Sequence, residues 1–274
     1  MEYVENKRLC RMLVRANLLT MVFASLLIAP LAMAAATLFE HQLGPSAGGW
    51  LVALPVSFAV AVFAVTLDAG AQTASTLALS AAAHVPAQIL FAAAFASVLA
   101  DRGLLVGGAA GALTYVTCAV ALAPLPDVVP ILAAIPLLVL APRLMPAGQP
   151  RRGASRSRAS TAMICAAAAI LVAAAILTTR LAGPVAAGAI AAFPTLSTTL
   201  LIAVAAHDGR AAGAQVLVGL IRSLPCYLTF CLVIAAATPA VGLPAIALAL
   251  IACGAAGRIT WQAVPLAPRA VTAG

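Results

Sequence analysis

Charged residues are scarce in this sequence. Only 8% of its 274 residues are Asp, Glu, Lys or Arg, whereas 64% are hydrophobic. A soluble domain of this length carries roughly 25% charged residues, so the composition excludes a soluble globular protein. Apolar runs of about 20 residues, each long enough to cross a bilayer as a helix, recur along the chain. We therefore predict an all-α polytopic membrane protein.

Sequence motifs of catalysis and metal binding are missing as well. There is no HExxH, GxSxG or P-loop pattern, and no GxGxxG after a predicted strand. The three histidines fall on different segments, and the six cysteines form no CxxC pair and no pairing with histidine. We therefore predict no enzyme activity, no cofactor and no metal site. We interpret the five cysteines within apolar runs as small core residues.

The net charge of +8 indicates membrane topology rather than nucleic-acid binding. The basic residues lie mostly in the breaks between apolar runs, where the positive-inside rule places them at the cytoplasmic face. We predict a multi-pass protein of the bacterial inner membrane, in which residues 1–15 form a basic cytoplasmic tail. The predicted partners are the lipid bilayer and either a second copy of the chain, as a homodimer, or proteins of envelope biogenesis, with no nucleic acid.

The chain repeats itself at an offset of 139 residues. The stretch LGPSAGGWLVALP, Leu43–Pro55, returns as LAGPVAAGAIAAFP, Leu181–Pro194. Further Gly and Pro matches at this offset are Gly70 with Gly209, Pro86 with Pro225, and Gly103 with Gly242. We predict two tandem four-helix repeats related by a pseudo-twofold axis, at 16–144 and 161–263. A basic linker at 145–160 joins them, and a tail at 264–274 follows.

The number of spans depends on an additional apolar segment at 128–144. With eight spans, this segment is re-entrant or interfacial, and both repeats enter the membrane from the same side as parallel repeats. Arg210 then lies near the inner face, whereas Arg102 and Arg180 face outward. With nine spans the repeats are inverted, but the linker arginines then face outward, against the positive-inside rule. We predict eight spans and keep nine as the alternative.

The matched glycines and prolines predict the shape of the helices. Gly-Pro opens the second helix of each repeat, because proline is tolerated in a first helical turn. Pro55 and Pro194 lie ten residues further on, where each removes a backbone hydrogen bond and bends its helix. Nearby hydroxyls of Ser57, Thr195, Ser197, Thr198 and Thr199 are available to the freed carbonyls. The predicted kink and packing residues are Gly44, Pro45, Gly49, Pro55, Pro86, Gly183, Pro184, Gly188, Pro194 and Pro225.

The third helix of each repeat carries the candidate binding residues. Arg222 and His84 lie about 11 or 12 residues into their helices, roughly 17 Å from the end and near the midplane. A charge at that depth is costly and marks a functional hypothesis, and an arginine suits an anionic ligand or a lipid head group. Snorkelling or a bond to freed carbonyls are the alternatives for Arg222. The candidate substrate-binding residues are Arg222, His84, Ser197, Thr198 and Tyr227.

The second half resembles the GlpM-type small bacterial inner-membrane proteins. The features that carry the resemblance are Ala187-Gly188, the following Phe193–Thr195, His207 near the end of that helix, and Leu224–Tyr227 in the next. The first half has Leu54 and Asp68 where the second has Phe193 and His207. The resemblance implies four-helix units and an association with exopolysaccharide production, without established binding residues.

Two functional hypotheses follow from these patterns. The repeat, the bent helices and Arg222 favour a transporter or flippase-like permease for a small or lipid-linked solute, with an anion suited to Arg222. The family resemblance and the scarcity of intramembrane charge favour a non-transporting scaffold or accessory protein in envelope or exopolysaccharide biogenesis. A water-accessible cavity at the pseudo-twofold axis that reaches Arg222 distinguishes the first hypothesis from the second, and an Arg222 outside such a cavity weakens the first.

Overall fold

The computed structural model describes Trp50, residues 54–145 and residues 158–262. Within these ranges every element is an α-helix, as the composition predicts. The helices are α1 (Val56–Ala69), α2 (Ala71–Ala83), α3 (Val85–Leu122), α4 (Val128–Leu144), α5 (Arg158–Ala191), α6 (Thr195–Asp208), α7 (Arg210–Val241) and α8 (Pro244–Gln262). The first apolar run, Gly44, Pro45, Gly49, most of the basic linker and both terminal tails lie outside the described residues.

Four of the described helices are long and apolar enough to cross a membrane. They are α3, the part of α5 from Ala162, α7 and α8. The helices α1 and α4 are also apolar but shorter, with 14 and 17 residues. These apolar helices are consistent with an integral membrane protein.

Single glycines with positive φ separate successive helical segments. Gly70 and Gly209 have nearly identical backbone angles, with φ near 89° and ψ of 166° and 167°. Gly103 and Gly183 interrupt α3 and α5 in the same conformational region, so each of these helices consists of two segments. A Cβ atom on Gly70, Gly183 or Gly209 meets nothing within 4 Å. The backbone conformation, rather than a lack of space, therefore requires glycine at these three positions.

The helices α2 and α7 form the centre of the bundle. The helix α7 packs against α2, α3, α6 and α8, and 72% of its most apolar window is buried, compared with 22% for α8. The helix α2 also packs against α5, and there Gly188 is required by close approach. A Cβ atom at Gly188 would lie 2.5 Å from the carbonyl oxygen of Leu77 and 2.6 Å from Ser80 Cβ. Small residues allow such close backbone contact between membrane helices.

Two polar contacts between distant parts of the chain show which helix ends lie next to each other. Arg180 of α5 donates two hydrogen bonds to Asp68 of α1, from Nε to Oδ2 at 2.7 Å and from Nη2 to Oδ1 at 2.6 Å. In the second contact, Arg210 Nη1 at the start of α7 donates a hydrogen bond to the carbonyl oxygen of Ala100 in α3, at 3.1 Å. Its guanidinium also lies against Gly103.

These contacts do not fit the arrangement that parallel repeats predict, and the number of spans stays a prediction. With parallel repeats, α1 ends at the inner face, which puts Asp68 about 30 Å of hydrocarbon away from Arg180 at the outer face. In the structure the two side chains form an ion pair. Likewise Arg210 is predicted near the inner face and Arg102 at the outer face, yet the Arg210 side chain contacts Gly103.

Candidate functional site

Two helices begin within apolar stretches of the sequence, each directly after a proline. The helix α1 starts after Pro55, and α6 starts after Pro194, three residues beyond the end of α5. Both prolines have φ of −76°, with ψ of 33° and 55°. Neither helix has a side-chain hydrogen bond that caps its start. Each proline therefore opens a half-helix whose first-turn amides have no acceptor within that helix.

Carbonyl groups at the break before α6 already accept hydrogen bonds. These bonds run from Tyr115 Oη to Ala189 O (2.5 Å), from Phe193 N to Ile190 O (3.1 Å), from Thr195 N to Phe193 O (2.7 Å) and from Thr198 Oγ1 to Pro194 O (2.8 Å). At the other break, Leu54 O accepts from Val56 N and Pro55 O from Ala59 N, both at 2.8 Å. The acceptors at both breaks are thus largely engaged.

A small cavity lies between the two breaks, and we call it the central cavity. Its lining includes residues 54, 55, 57 and 58 from one break, residues 191–197 from the other, Gln88 of α3 and Tyr227 of α7. Its volume is about 50 Å³, which is room for about four water-sized groups. A cavity of this size fits a few waters or a small ion, and excludes a sugar or a lipid head group without rearrangement.

Unpartnered polar atoms are concentrated in the central cavity. In the described part of the chain, four buried side-chain nitrogen or oxygen atoms have no hydrogen-bond partner, and three of them line this cavity: Ser57 Oγ, Gln88 Nε2 and Tyr227 Oη. The three residues are 1%, 3% and 7% exposed. The Tyr227 hydroxyl lies beside Gln88 and the Cys231 thiol, but it meets hydrogen-bond geometry with neither group. A buried polar group without a partner costs about 1–3 kcal/mol, so these three atoms are available to bind a polar group that enters the cavity.

The described lining residues include no charged side chain. They do include Ser57 and Phe58 in the first turn of α1, and Leu196 and Ser197 in the first turn of α6. By helix geometry, the amides at these positions have no acceptor within their own helix. The positive ends of two helix dipoles therefore meet at one small cavity.

Aromatic rings surround the central cavity on both sides. The ring of Phe58 lies 5.6 Å from that of Tyr227 and 6.2 Å from that of Phe230. On the opposite side, Phe193 packs edge to face against Phe91 at 5.5 Å and Tyr115 at 5.1 Å. Such pairs contribute about 0.5–1.5 kcal/mol beyond area burial, so the cavity has rigid walls of low polarity.

Two larger apolar clefts flank the central cavity. One has a volume of about 450 Å³ and lies between the second segment of α3 and α5, with Tyr115, Ala189 and Phe193 in its lining. The other has a volume of about 350 Å³ and lies beside α8, with Trp50, Leu54 and Gly254 in its lining. The first cleft shares Phe193 with the central cavity, and the second shares Leu54 and Pro55. Each cleft is thus separated from the polar atoms by one helix break.

The structure brings two of the five predicted substrate-binding residues to the central cavity, Ser197 and Tyr227. The other three lie elsewhere. His84 is buried, and its Nδ1 lies 2.7 Å from the carbonyl of Ser80, one turn earlier. Thr198 donates to the carbonyl of Pro194, and the half-buried Arg222 is not among the described lining residues.

Sequence reasoning missed Ser57 and Gln88 as site residues. Ser57 was noted only as a source of hydrogen bonds for freed carbonyls, but its Oγ has no partner within the described residues. The signal for Gln88 was present, because the offset of 139 aligns it with Tyr227 and places both two residues after matched prolines. For metals, the described residues contain no group of three or more His, Cys, Asp or Glu that could hold an ion.

Comparison of the chain with family models, curated proteins and solved structures finds no match. The resemblance to GlpM-type proteins therefore stays a prediction.

Proposed function

We propose that this chain is an integral membrane permease in which a small polar solute binds at the central cavity. The observation that carries the proposal is the cluster of three unpartnered buried polar atoms between two half-helices. A scaffold needs no such cluster, because packing helices together is most stable when every buried polar group has a partner. Transporter sites are commonly built at the midplane from discontinuous helices.

The permease consists of two inverted units related by a pseudo-twofold axis in the membrane plane. The offset of 139 residues relates the bounds of α1 to those of α6, and relates Gly70 to Gly209 with matching backbone angles. The same offset relates Gly103, which interrupts α3, to Gly242, which ends α7, both with positive φ. These correspondences in backbone conformation support the proposed duplication.

Contacts at both ends of the bundle support inversion. With inverted units, the end of α1 and the junction after the first segment of α5 lie at one face, as the Asp68–Arg180 ion pair requires. The start of α7 and the end of the first segment of α3 lie at the opposite face, as the contact of Arg210 with Ala100 requires. Inversion also requires α4 to cross the membrane. The proposal therefore adopts the nine-span alternative in place of eight spans.

The central cavity lies on the pseudo-twofold axis of this arrangement. Pro55 and Pro194 are equivalent by the offset, and so are Gln88 and Tyr227, and all four line the cavity. Pro194 follows Gly183, the glycine that interrupts α5, by 11 residues, which is about 16 Å along a helix and close to the midplane. Equivalent helices from inverted units therefore place their N-terminal ends against each other at mid-depth.

Solute flux tests the permease function. The full chain is reconstituted in liposomes, which are then challenged with formate, nitrate, urea and glycerol, while light scattering reports swelling. We expect protein-dependent flux of at least one of these small solutes, at least tenfold reduced by Gln88→Leu with Tyr227→Phe. Protein-free liposomes and the variant Ser223→Ala are the controls, because Ser223 is buried outside the cavity and donates to Leu220 O in its own helix.

The scaffold hypothesis predicts a different result in the same experiment. It predicts no protein-dependent flux of any of the four solutes, and no effect of the cavity variants in a folded protein. Absence of flux together with normal chromatographic behaviour in detergent would therefore favour the scaffold. The lipid-linked version of the substrate is disfavoured by the cavity volume of about 50 Å³.

Labelling of single cysteines tests the inverted arrangement separately. Asp101 and Leu181 are exposed residues next to Gly103 and Gly183. In a background with the six native cysteines replaced by alanine, we expect Asp101→Cys and Leu181→Cys to react with a membrane-impermeant maleimide from opposite sides. Labelling of both from the same side would contradict inverted units.

A further inference from the structure

We infer that the central cavity is a binding site for a small inorganic or carboxylate anion, held without any positively charged side chain among the described residues. This inference rests on the proposed function and names the class of solute. It is carried by the juxtaposition of Ser57 Oγ, Gln88 Nε2 and Tyr227 Oη with the N-terminal ends of α1 and α6 at a cavity of about 50 Å³.

The groups without partners at this cavity are hydrogen-bond donors. Gln88 Nε2 is an amide nitrogen and donates only, whereas the hydroxyls of Ser57 and Tyr227 are able to donate or accept. First-turn amides of Ser57, Phe58, Leu196 and Ser197 add donors without intrahelical acceptors. The unmet hydrogen-bonding capacity around the cavity therefore requires an acceptor.

The acceptors near the cavity are largely engaged. Ala189 O, Ile190 O, Phe193 O and Pro194 O at one break and Leu54 O and Pro55 O at the other accept hydrogen bonds from groups of the protein. None of the described lining residues carries a carboxylate. A cation needs oxygen ligands such as carboxylates and free carbonyls, so the arrangement disfavours Na⁺ and other hard cations.

Two helix dipoles supply the electrostatic attraction. Each helix N-terminus is equivalent to about half a positive charge, and here α1 and α6 direct two such ends at one cavity. Their effect is larger than in water, because the aromatic rings of Phe58, Phe193 and Tyr227 reduce the local dielectric constant. An arginine would leave a full buried positive charge whenever the site is empty, whereas helix ends carry only partial charges. Partial charges therefore suit a site that must release its ligand.

The volume limits the anion to roughly four water-sized groups. Formate, nitrate and chloride meet this limit, whereas gluconate exceeds it. Water is the competing occupant, since a buried water typically makes about three hydrogen bonds to such unpartnered groups. The experiment must therefore separate anion binding from hydration.

Thermal unfolding of the full chain in detergent at constant ionic strength provides the test. Potassium formate, nitrate or chloride replaces potassium gluconate, so that only the anion changes. We expect at least one small anion to raise the melting temperature by about 3 °C, at about ten times its dissociation constant. Exchange of potassium for sodium with gluconate held constant should have no such effect.

Single substitutions test whether the anion that raises the melting temperature binds at the central cavity. Ser57→Ala, Gln88→Leu and Tyr227→Phe should each raise the dissociation constant of the anion at least about tenfold, because each removes a donor to a charged ligand. Ser223→Ala removes a buried hydroxyl of a residue that does not line the cavity, so its anion response should equal that of the wild type. The melting temperature in gluconate shows whether each variant is folded.

The possible outcomes separate this inference from the permease function. No anion-specific shift in the wild type, or a shift that survives all three cavity variants, overturns the anion site and leaves the cavity to water. A shift with sodium in place of potassium also overturns it. Flux of urea or glycerol without anion binding supports the permease and contradicts the anion. Anion binding without flux of any solute supports the site and contradicts the permease.

Discussion

The segments 55–122 and 194–262 share a backbone plan but carry different side chains at equivalent positions. Where the first has Ser57, Phe58 and Gln88, the second has Leu196, Ser197 and Tyr227. The polar positions around the cavity are thus staggered rather than duplicated, although both segments keep their proline and positive-φ glycines. The prolines are thus kept where the half-helices meet, whereas the side chains that line the cavity there differ between the two segments.

The third helix also differs between the two segments. In the second segment α7 is continuous from Arg210 to Val241, whereas in the first α2 ends at Ala83 and α3 begins at Val85. His84 lies between them with φ of −93° and ψ of 4°. Its Nδ1 contacts the carbonyl of Ser80, where the equivalent helix of the second segment has no interruption. The helix is thus interrupted at His84 in the first segment, whereas it is continuous at the position related by the offset in the second segment.

The largest expected effect on stability comes from replacing Gly188, where α2 and α5 approach so closely that only glycine fits. Gly188→Val should destabilise the protein by about 3 kcal/mol and reduce the yield of folded protein, because the new side chain overlaps Leu77 O and Ser80. Gly254→Val is the matched control, since a Cβ atom there meets nothing within 4 Å. Apparent melting temperatures in detergent should differ clearly between the two variants, and equal values would contradict the close packing of α2 on α5.

The next effect tests whether the two units are conformationally equivalent. Gly70→Ala and Gly209→Ala should each cost about 2 kcal/mol, because both glycines adopt a region of φ and ψ that is strained for other residues. Both sites are sterically open, so the cost comes from the backbone alone. Thermal unfolding should give equal decreases within about 0.5 kcal/mol. A large difference between the two variants would mean that the units are not equivalent.

Paired tyrosine variants separate a satisfied hydroxyl from an unsatisfied one. Tyr115→Phe should cost about 1 kcal/mol, because Tyr115 Oη donates to Ala189 O. Tyr227→Phe should be neutral or slightly stabilising in gluconate, because its hydroxyl has no partner among the described residues. Thermal unfolding of both variants in the same buffer provides the measurement. A loss of stability in Tyr227→Phe equal to that in Tyr115→Phe would show that its hydroxyl has an occupant even without the small anions.

The smallest expected effect concerns the contact at one face of the bundle. Asp68→Asn and Arg180→Gln should each cost about 0.2–1 kcal/mol, because the ion pair is partly exposed and screened by solvent. The double variant should cost less than the sum of the two single variants, since the second change removes a partner already lost. Additive costs in thermal unfolding would show that the two side chains do not interact, which would remove one support for inverted units.

The sequence was sufficient to predict the all-helical class, because apolar runs of about 20 residues leave few alternatives in lipid. Pro55 and Pro194 were assigned to helix bends from their position in those runs, and the structure has helix starts there. Relative orientation was not predictable in this way. It depends on which side chains meet, and the contact of Asp68 with Arg180 spans 112 residues of chain.

Arg222 illustrates why a site is harder to predict than a fold. Its depth in the membrane is readable from helix length, but the direction of its side chain is not, because adjacent residues on a helix point about 100° apart. Gln88 carries no formal charge and attracts less notice in the sequence. It becomes a candidate only because its Nε2 is buried without a partner, which is a property of the packed structure.

The helix α4 has a consequence for the history of such a chain. A half-length ancestor could form the same central cavity only if two copies inserted into the membrane in opposite orientations and paired. Joining two such copies end to end with an even number of crossings would fix them in the same orientation and abolish the pairing. One additional crossing between the copies removes this obstacle. With inverted units, α4 is therefore the segment that would give the two units opposite orientations within one chain.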